Sequence, residues 1–303
     1  MNIIVYVKEV PDVRIPVAWE EASGRLRKDR QVWQLNPPDR SALAAALAMK
    51  TKVPEAQVTA IHLGPPAGER VLRECLALGC DRIFRVWDEL WEEIQPHAKA
   101  LIFSRVAEIF GYDLLFTGCA SQDSGNGQVG LLLASYLNIP CITSALKLEI
   151  AGNNHSLIAV KRLDAGRQAR VSAVLPAAIT MEALPESGQE PALASRLEAW
   201  ERDIPCLHPS ELGIPGPRIR QMNSCLQPGP LQWRQPRLRS IPAPDPQQPA
   251  FLRIARLIHG TAAGRTGKMI RGTEVQVVEE LFQTLLKEGW LDHLKRKTGQ
   301  RTL

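Results

Sequence analysis

The stretch with the most potential for chemistry is Thr117-Gly118-Cys119-Ala120-Ser121-Gln122-Asp123-Ser124-Gly125-Asn126-Gly127-Gln128-Val129-Gly130. It follows an apolar run that reads as a parallel strand and precedes a helical one. In open α/β sheets that is where ligands sit. Gly125 and Gly127 let the backbone come close to a phosphate, and the helix start beyond them offers unpaired N–H groups and the positive end of a dipole. Ser124, Asn126 and Gln128 add side-chain hydrogen bonds. A polar connection with no ligand is the competing reading, and the glycines alone do not decide between the two. Two further loops leave the same sheet edge, Val7-Lys8-Glu9-Val10-Pro11-Asp12 and Leu63-Gly64-Pro65. Lys8 is placed either to meet a phosphate or to remain a solvated strand-end charge. Asp12 either accepts from a ribose hydroxyl or only forms the turn after Pro11.

Other chemistries find little support. No G-x-G-x-x-G follows the first apolar run, which argues against a standard NAD site. Gly264-Arg265-Thr266-Gly267-Lys268-Met269 resembles a P-loop faintly, but Ala262 replaces the first glycine and Met269 stands where a hydroxyl should hold Mg²⁺. It reads as a flexible basic turn. The six histidines lack triad or metal spacing, and the six cysteines form no CxxC pair, so free thiols and no metal site are expected. No nucleophile elbow is present, and nothing argues for bond-making catalysis by side chains.

The elements that must position these loops alternate. Asn2–Val10, Val58–Leu63, Arg82–Val86 and Leu114–Thr117 read as strands. Helices are expected from Asp39 as N-cap, over Glu69–Leu78 with Gly79 as the stop, from Pro96 to Gly111, and from about Gln128 to Leu137. This alternation predicts a doubly wound, mostly parallel α/β sheet. Ser23-Gly24 suggests a small hairpin. After Pro140, the segments Ile142–Ile150, Ser156–Lys161, Gln168–Ala173 and Ala177–Met181 read as late strands joined partly by hairpin turns, so antiparallel strands extend the sheet. From 205 to 250 the chain holds 11 of its 23 prolines, which excludes regular helix or central sheet there. Apolar residues within it favour an extended arm. A T-x-x-Q capping box at Thr273–Gln276 then opens an amphipathic helix carrying Val278, Leu281, Phe282, Leu285 and Leu286. The expected division is 1–205, an α/β nucleotide-binding domain, and 206–303, a partner-wrapping arm ending in that helix.

Composition fits a soluble protein: 45% apolar and 23% charged over 303 residues, with a net charge of +5 spread along the chain. That charge is too mild and too dispersed for a nucleic-acid footprint. Arg218, Arg220, Arg234, Arg237 and Arg239 around Trp233 form a basic aromatic cluster, better read as part of the arm than as a single-strand binding module. No run of about 18 apolar residues calls for membrane insertion. The start, MNIIVYVKEVPD, reads as a buried strand and not a signal peptide, so a cytoplasmic location is expected.

In order and spacing, several motifs resemble the electron-transfer flavoprotein beta-subunit family. They are Val7-Lys8-Glu9-Val10-Pro11-Asp12, Leu35-Asn36-Pro37-Pro38-Asp39, Leu63-Gly64-Pro65, Leu76 to Arg82, Asp123 to Gly130, Leu175-Pro176-Ala177 and Glu190-Pro191. Gly267 to Gly272 before the last helix is similar to the family's end. The resemblance implies an adenine-nucleotide-hydrolase-like fold and an electron-carrier subunit, not a stand-alone enzyme, paired with an alpha subunit. It implies a pocket of Tyr6, Lys8, Asn36, Asp39, Leu63, Gly64 and the loop Asp123, Ser124, Gly125, Asn126, Gly127, Gln128, Val129 and Gly130. The bound nucleotide is AMP in plain carriers and FAD in electron-bifurcating ones. Ser23 to Arg27 and Asp39 to Ala42 are closer to the bifurcating type, which points to FAD and allows NADH oxidation. Implied partners are an acyl-CoA dehydrogenase or similar flavoenzyme and a quinone-linked or other redox acceptor. The family's Lys-Gln or Arg-Gln pair near Cys119-Ala120 and its lysine run after Glu190-Pro191 are missing here. The alternative reading is an ATP-using enzyme of the same fold, which would carry a Ser-Gly-Gly-type loop where Lys8 to Asp12 stand.

Overall fold

The computed structural model describes residues 1–16, 19–20, 25–27, 30–89, 94–151, 155–185, 190–224, 246–259, 270 and 272–287. The chain divides into two compact units, Met1–Trp233 and Arg234–Leu303.

In the first unit, β1 (Asn2–Val7) is a run of β-branched and aromatic residues buried on both faces, as the central strand of a parallel sheet must be. It pairs in parallel with β6 (Gln57–Leu63) and with β8 (Leu114–Gly118). Its two-residue alternation sorts two cores. Ile3, Val5 and Val7 face α1 (Pro37–Lys52) and α2 (Glu69–Leu78), packing on Leu43, Ala46, Leu72 and Cys75. Ile4 and Tyr6 face α3 (Pro96–Phe110) and α4 (Val129–Leu137), packing on Ile102, Val106 and Leu133. β7 (Arg82–Val86) lies beyond β6, so the chain builds outward on one side of β1 before α3 carries it back to β8 on the other. That reversal is the topological switch point of a doubly wound sheet.

The expected first strand to Val10 breaks at Lys8. There β2 (Glu9–Pro11) peels away to pair with β5 (Trp33–Leu35), and the short antiparallel pair β3 (Trp19–Glu20) and β4 (Arg25–Leu26) lies between them in sequence. The Ser23-Gly24 turn of that pair is outside the described residues. The late strands are β9 (Cys141–Ile150), β10 (Ser156–Arg162), β11 (Gln168–Val174) and β12 (Ala177–Met181). β10 lies between β9 and β11 and runs antiparallel to both. β12 instead inserts between β8 and β9, parallel to both. Its five residues are all buried, as in a central strand with strands on both edges and layers over both faces.

The sheet continues past the boundary expected at residue 205. β13 (Cys206–Leu207) adds to β7, and the following segment with α6 (Gly216–Ser224) seats Leu212, Ile214 and Ile219 against the α3 core. Burial of those three apolar side chains outweighs the prolines around them, which fall at turns and helix starts. Before it, α5 (Leu193–Glu201) packs on α2, with Leu193, Leu197 and Trp200 exposed. The rest of the Pro-rich arm from 225 to 245 and the glycine-rich turn at 260–269 lie outside the described residues.

The second unit contains α7 (Ala250–His259), which the proline-rich reading missed, and α8 (Glu274–Lys287). The capping box at α8 is half realised: the Thr273 amide donates to Gln276 Oε1 at 3.1 Å. Val275, Val278, Leu281 and Phe282 form an exposed apolar stripe along it. No helix of the described residues is long and apolar enough to cross a membrane.

Candidate functional site

A cleft of about 740 Å³ opens at the carboxyl ends of β1, β6 and β8, beside the switch point. Of the fourteen residues expected to form a pocket, Tyr6, Lys8, Asn36, Asp39, Leu63, Gly64, Asp123, Ser124, Asn126, Gly127, Gln128 and Val129 line it. Gly125 and Gly130 do not, and each is needed for another reason. Gly125 has φ +63° at the tip of the loop. At Gly130 a side chain would put its Cβ 2.5 Å from Thr117 Oγ1, so glycine lets α4 start tightly against β8.

The loop is held from below by α1. Pro37 and Pro38 occupy the first helical positions, where no N–H is needed. Asn36, not Asp39 as expected, takes the N-cap position. Its amide does not cap the helix. It donates to Ala120 O at 3.1 Å and accepts from the Gln122 amide at 3.0 Å, mimicking a strand partner for the loop. Asp39 faces the sheet from the first turn, and its two carboxylate oxygens accept from the Lys8 and Gly118 amides at 2.9 and 2.8 Å. One buried carboxylate thus ties the end of β1 to the end of β8. Gly118 is required there, since a Cβ would stand 2.4 Å from Asp39 Oδ1. Burial pushes the Asp39 carboxyl up to about 7, against the lowering effect of its hydrogen bonds.

His62 does similar work between β1 and β6. Its Nδ1 lies 3.1 Å from Val7 O, and a carbonyl only accepts, so Nδ1 carries the proton. Burial holds this imidazole down to about 4, so it is neutral. Its other nitrogen fills the space where Gly64 and Gly68 would carry Cβ atoms.

Lys8 Nζ reaches across the cleft mouth to both Asp123 oxygens at 2.6 Å and to Ser121 Oγ at 3.4 Å. Burial alone would raise the Asp123 carboxyl. The hydrogen bond and charge of Lys8 more than reverse that and hold it below the usual range. Asp123 also accepts from the Ser124 amide at 2.7 Å. Asp12 is not in the cleft. Arg14 takes its carboxylate in a bidentate pair at 2.9 and 2.8 Å, so the turn-forming reading is the one seen.

Behind the loop, Gln128 stands at the N-cap of α4 without a side-chain cap, so no side chain there takes the helix's first-turn N–H groups, and Gln128 and Val129 border the cleft. Thr117 Oγ1 is buried and makes no hydrogen bond. Gly127, at φ +60°, has Cys119 O only 3.0 Å from where a Cβ would be, so the backbone runs bare along the wall. The opposite wall is Trp87, Ile94, Pro96, Lys99 and Phe103, with Phe103 stacked on Tyr6 at 4.2 Å. None of these had been singled out. They come from a helix start and a strand end whose sequence carries no phosphate-loop pattern, and only the fold brings them near. No group of three or more metal-ligating side chains occurs among the described residues, and Cys75, Cys80, Cys119, Cys141 and Cys206 are free thiols.

Residues 25–201 match the family model for the electron transfer flavoprotein domain. The chain is 35% identical over 166 residues to the electron transfer flavoprotein subunit beta of Thermoanaerobacterium thermosaccharolyticum, covering 55% of this chain and 62% of that protein's length. It is 29% identical over 216 residues to the same subunit of Bacillus subtilis, covering 71% and 81%. It is 26% identical over 215 residues to subunit CarD of the caffeyl-CoA reductase–Etf complex of Acetobacterium woodii, covering 71% and 80%.

Proposed function

Because the chain belongs to the electron transfer flavoprotein family, we propose that it is the beta-type subunit of a heterodimeric carrier, holding an adenine nucleotide in the cleft. The observation that carries this reading is the convergence of the ends of β1, β6 and β8 and the start of α4 on one cleft. The residues present fit a phosphate-bearing nucleotide. Uncapped N–H groups at α4, the bare backbone at Gly127, the unpartnered Thr117 hydroxyl and Lys8 are the donors such a group requires. We take FAD as the nucleotide, with the further half of the dinucleotide lying where the cleft continues from the loop to Trp87, Ile94 and Lys99. A bound flavin would supply the electron-accepting ring. The chain's own residues would orient it, hold its phosphates and keep water from them. The similarity to CarD favours a bifurcating carrier, in which NADH would donate.

The alpha subunit is the proposed obligate partner, with the apolar stripe of α8 available to it. A flavin-dependent dehydrogenase is the proposed donor or acceptor, docking near the exposed Leu193, Leu197 and Trp200 of α5, where an apolar helix face stands in place of the family's lysine run. The carrier is taken to work in the cytoplasm. The ATP-using alternative loses its phosphate loop here, because the segment after β1 is committed to the β2–β5 pair. The test is to co-express the chain with its alpha partner, denature the purified complex and identify the released nucleotides. Two FAD per heterodimer is the expected result. One FAD and one AMP would make it a plain shuttle, and no adenine nucleotide would remove the cleft from the reading.

A further inference from the structure

Lys8, the cation beside the glycine-rich loop, is already paired. Lys8 Nζ lies 2.6 Å from each oxygen of Asp123, and the two side chains are each 32% exposed. An ion pair of this kind normally orders a loop, but here the loop is ordered without it. Asn36 clips Ala120 O and the Gln122 amide, Asp39 holds the Gly118 amide, and the Gly125 amide returns to Ser121 O at 2.8 Å. On the other side, the Lys8 backbone is fixed by Asp39 and its neighbour Val7 by His62. Neither end of the pair depends on the other for its place.

Asp123 would not be stranded if Lys8 left, because the Ser124 amide donates to the same carboxylate and water reaches it. Lys8 would find an equivalent partner in any phosphate seated at the start of α4, since the ammonium and the α4 N-terminus border the same cleft. We propose that Asp123 is a built-in competitor for Lys8: its carboxylate holds the ammonium in the phosphate's stead, and nucleotide entry exchanges one anion for another.

This rests on the cleft being an adenine-nucleotide site. It makes Asp123 a determinant that weakens binding, although it lies inside the loop that binds. It also predicts discrimination: ligands without a phosphate have nothing to offer Lys8 and leave the pair closed.

The test uses the full chain freed of nucleotide, titrated calorimetrically with AMP and, separately, with adenosine. A partly exposed ion pair is a weak competitor, so Asp123→Asn is expected to tighten AMP by roughly two- to fivefold. Adenosine affinity is expected to stay unchanged. Lys8→Gln is expected to weaken AMP, and adding Asp123→Asn to it is expected to give no gain. A loss of AMP affinity in Asp123→Asn would overturn the proposal, by making the carboxylate part of the ligand's cradle. So would an equal gain for adenosine, which would mark a general loosening of the loop. If the folded wild-type chain binds neither ligand, the nucleotide reading itself fails, an outcome distinct from both.

Discussion

Replacing Asp39 by Asn tests how the sheet ends are tied. The carboxyl is 5% exposed and accepts one backbone N–H at each oxygen. Its ionisation is displaced from 3.8 in the unfolded chain to about 7 in the fold. Below 3.8 both states hold the proton and the group is silent. Between 3.8 and 7 only the folded state holds it, so stability falls as pH rises. Above 7 both are ionised and the full penalty stands, about 4 kcal/mol. His62 works against this. Its folded value of about 4 lies below the ordinary 6.5, so the unfolded state binds the extra proton between those values and stability rises with pH. The two slopes nearly cancel from pH 4 to 6.5, and the wild-type profile hides both. Subtracting the Asp39→Asn profile removes His62, which is present in both proteins. The assay is urea unfolding from pH 4.5 to 8 at fixed ionic strength. The variant is expected to gain on the wild type steadily up to about pH 7, by about 3 kcal/mol from pH 4.5, and then to run parallel. It starts behind by about 1–3 kcal/mol, because its amide turns a donor toward one of the two backbone N–H groups. A flat difference, or one in which the wild type gains with rising pH, would refute the reasoning. It would mean the two N–H donors dominate burial.

Two further outcomes are expected. Asn36→Ala removes both clips on the loop, and hydrogen exchange at the Gln122 amide should rise by roughly tenfold or more while α1 itself stays protected, since the side chain caps nothing there. Arg73 Nη1 donates to the carbonyls of Ala199, Trp200 and Arg202 at the end of α5, with its guanidinium carbon 5.3 Å from the Trp200 ring centroid, so Arg73→Met should cost about 1–3 kcal/mol. Limited proteolysis should then cut at 193–202 first, and cutting elsewhere would argue that α5 is held by Ala199 burial alone.

Much of this architecture was legible in local chemistry. Arg82–Val86 and Ala177–Met181 stand where alternation and β-branching put them, and Gly79 ends α2 at φ +116° as a helix-stopping glycine should. The cleft was legible where its residues sit in strand-to-helix loops. It was not legible at Trp87, Ile94 or Lys99, whose role depends on α3 crossing the sheet. Asp39 misled because Asp before a helical run has two uses, capping and clamping, and only the approach of Lys8 and Gly118 selects the second. α5, α6 and α7 were missed for a common reason. Prolines nearby mask short helices, while the burial that stabilises α6 comes from distant residues of α3.

The place of β12 has a consequence for how the molecule is made. β12 comes after the antiparallel strands in sequence, yet it lies between β8 and β9, which are complete by residue 150. Until residues 177–181 have emerged from the ribosome, β8 and β9 each present a bare hydrogen-bonding edge flanked by apolar side chains. The antiparallel hairpins β9–β11 can form on their own meanwhile, but they have nothing to dock on. A stalled or truncated chain ending before Ala177 is therefore a sheet with a slot in its middle, open to a strand from any neighbouring copy.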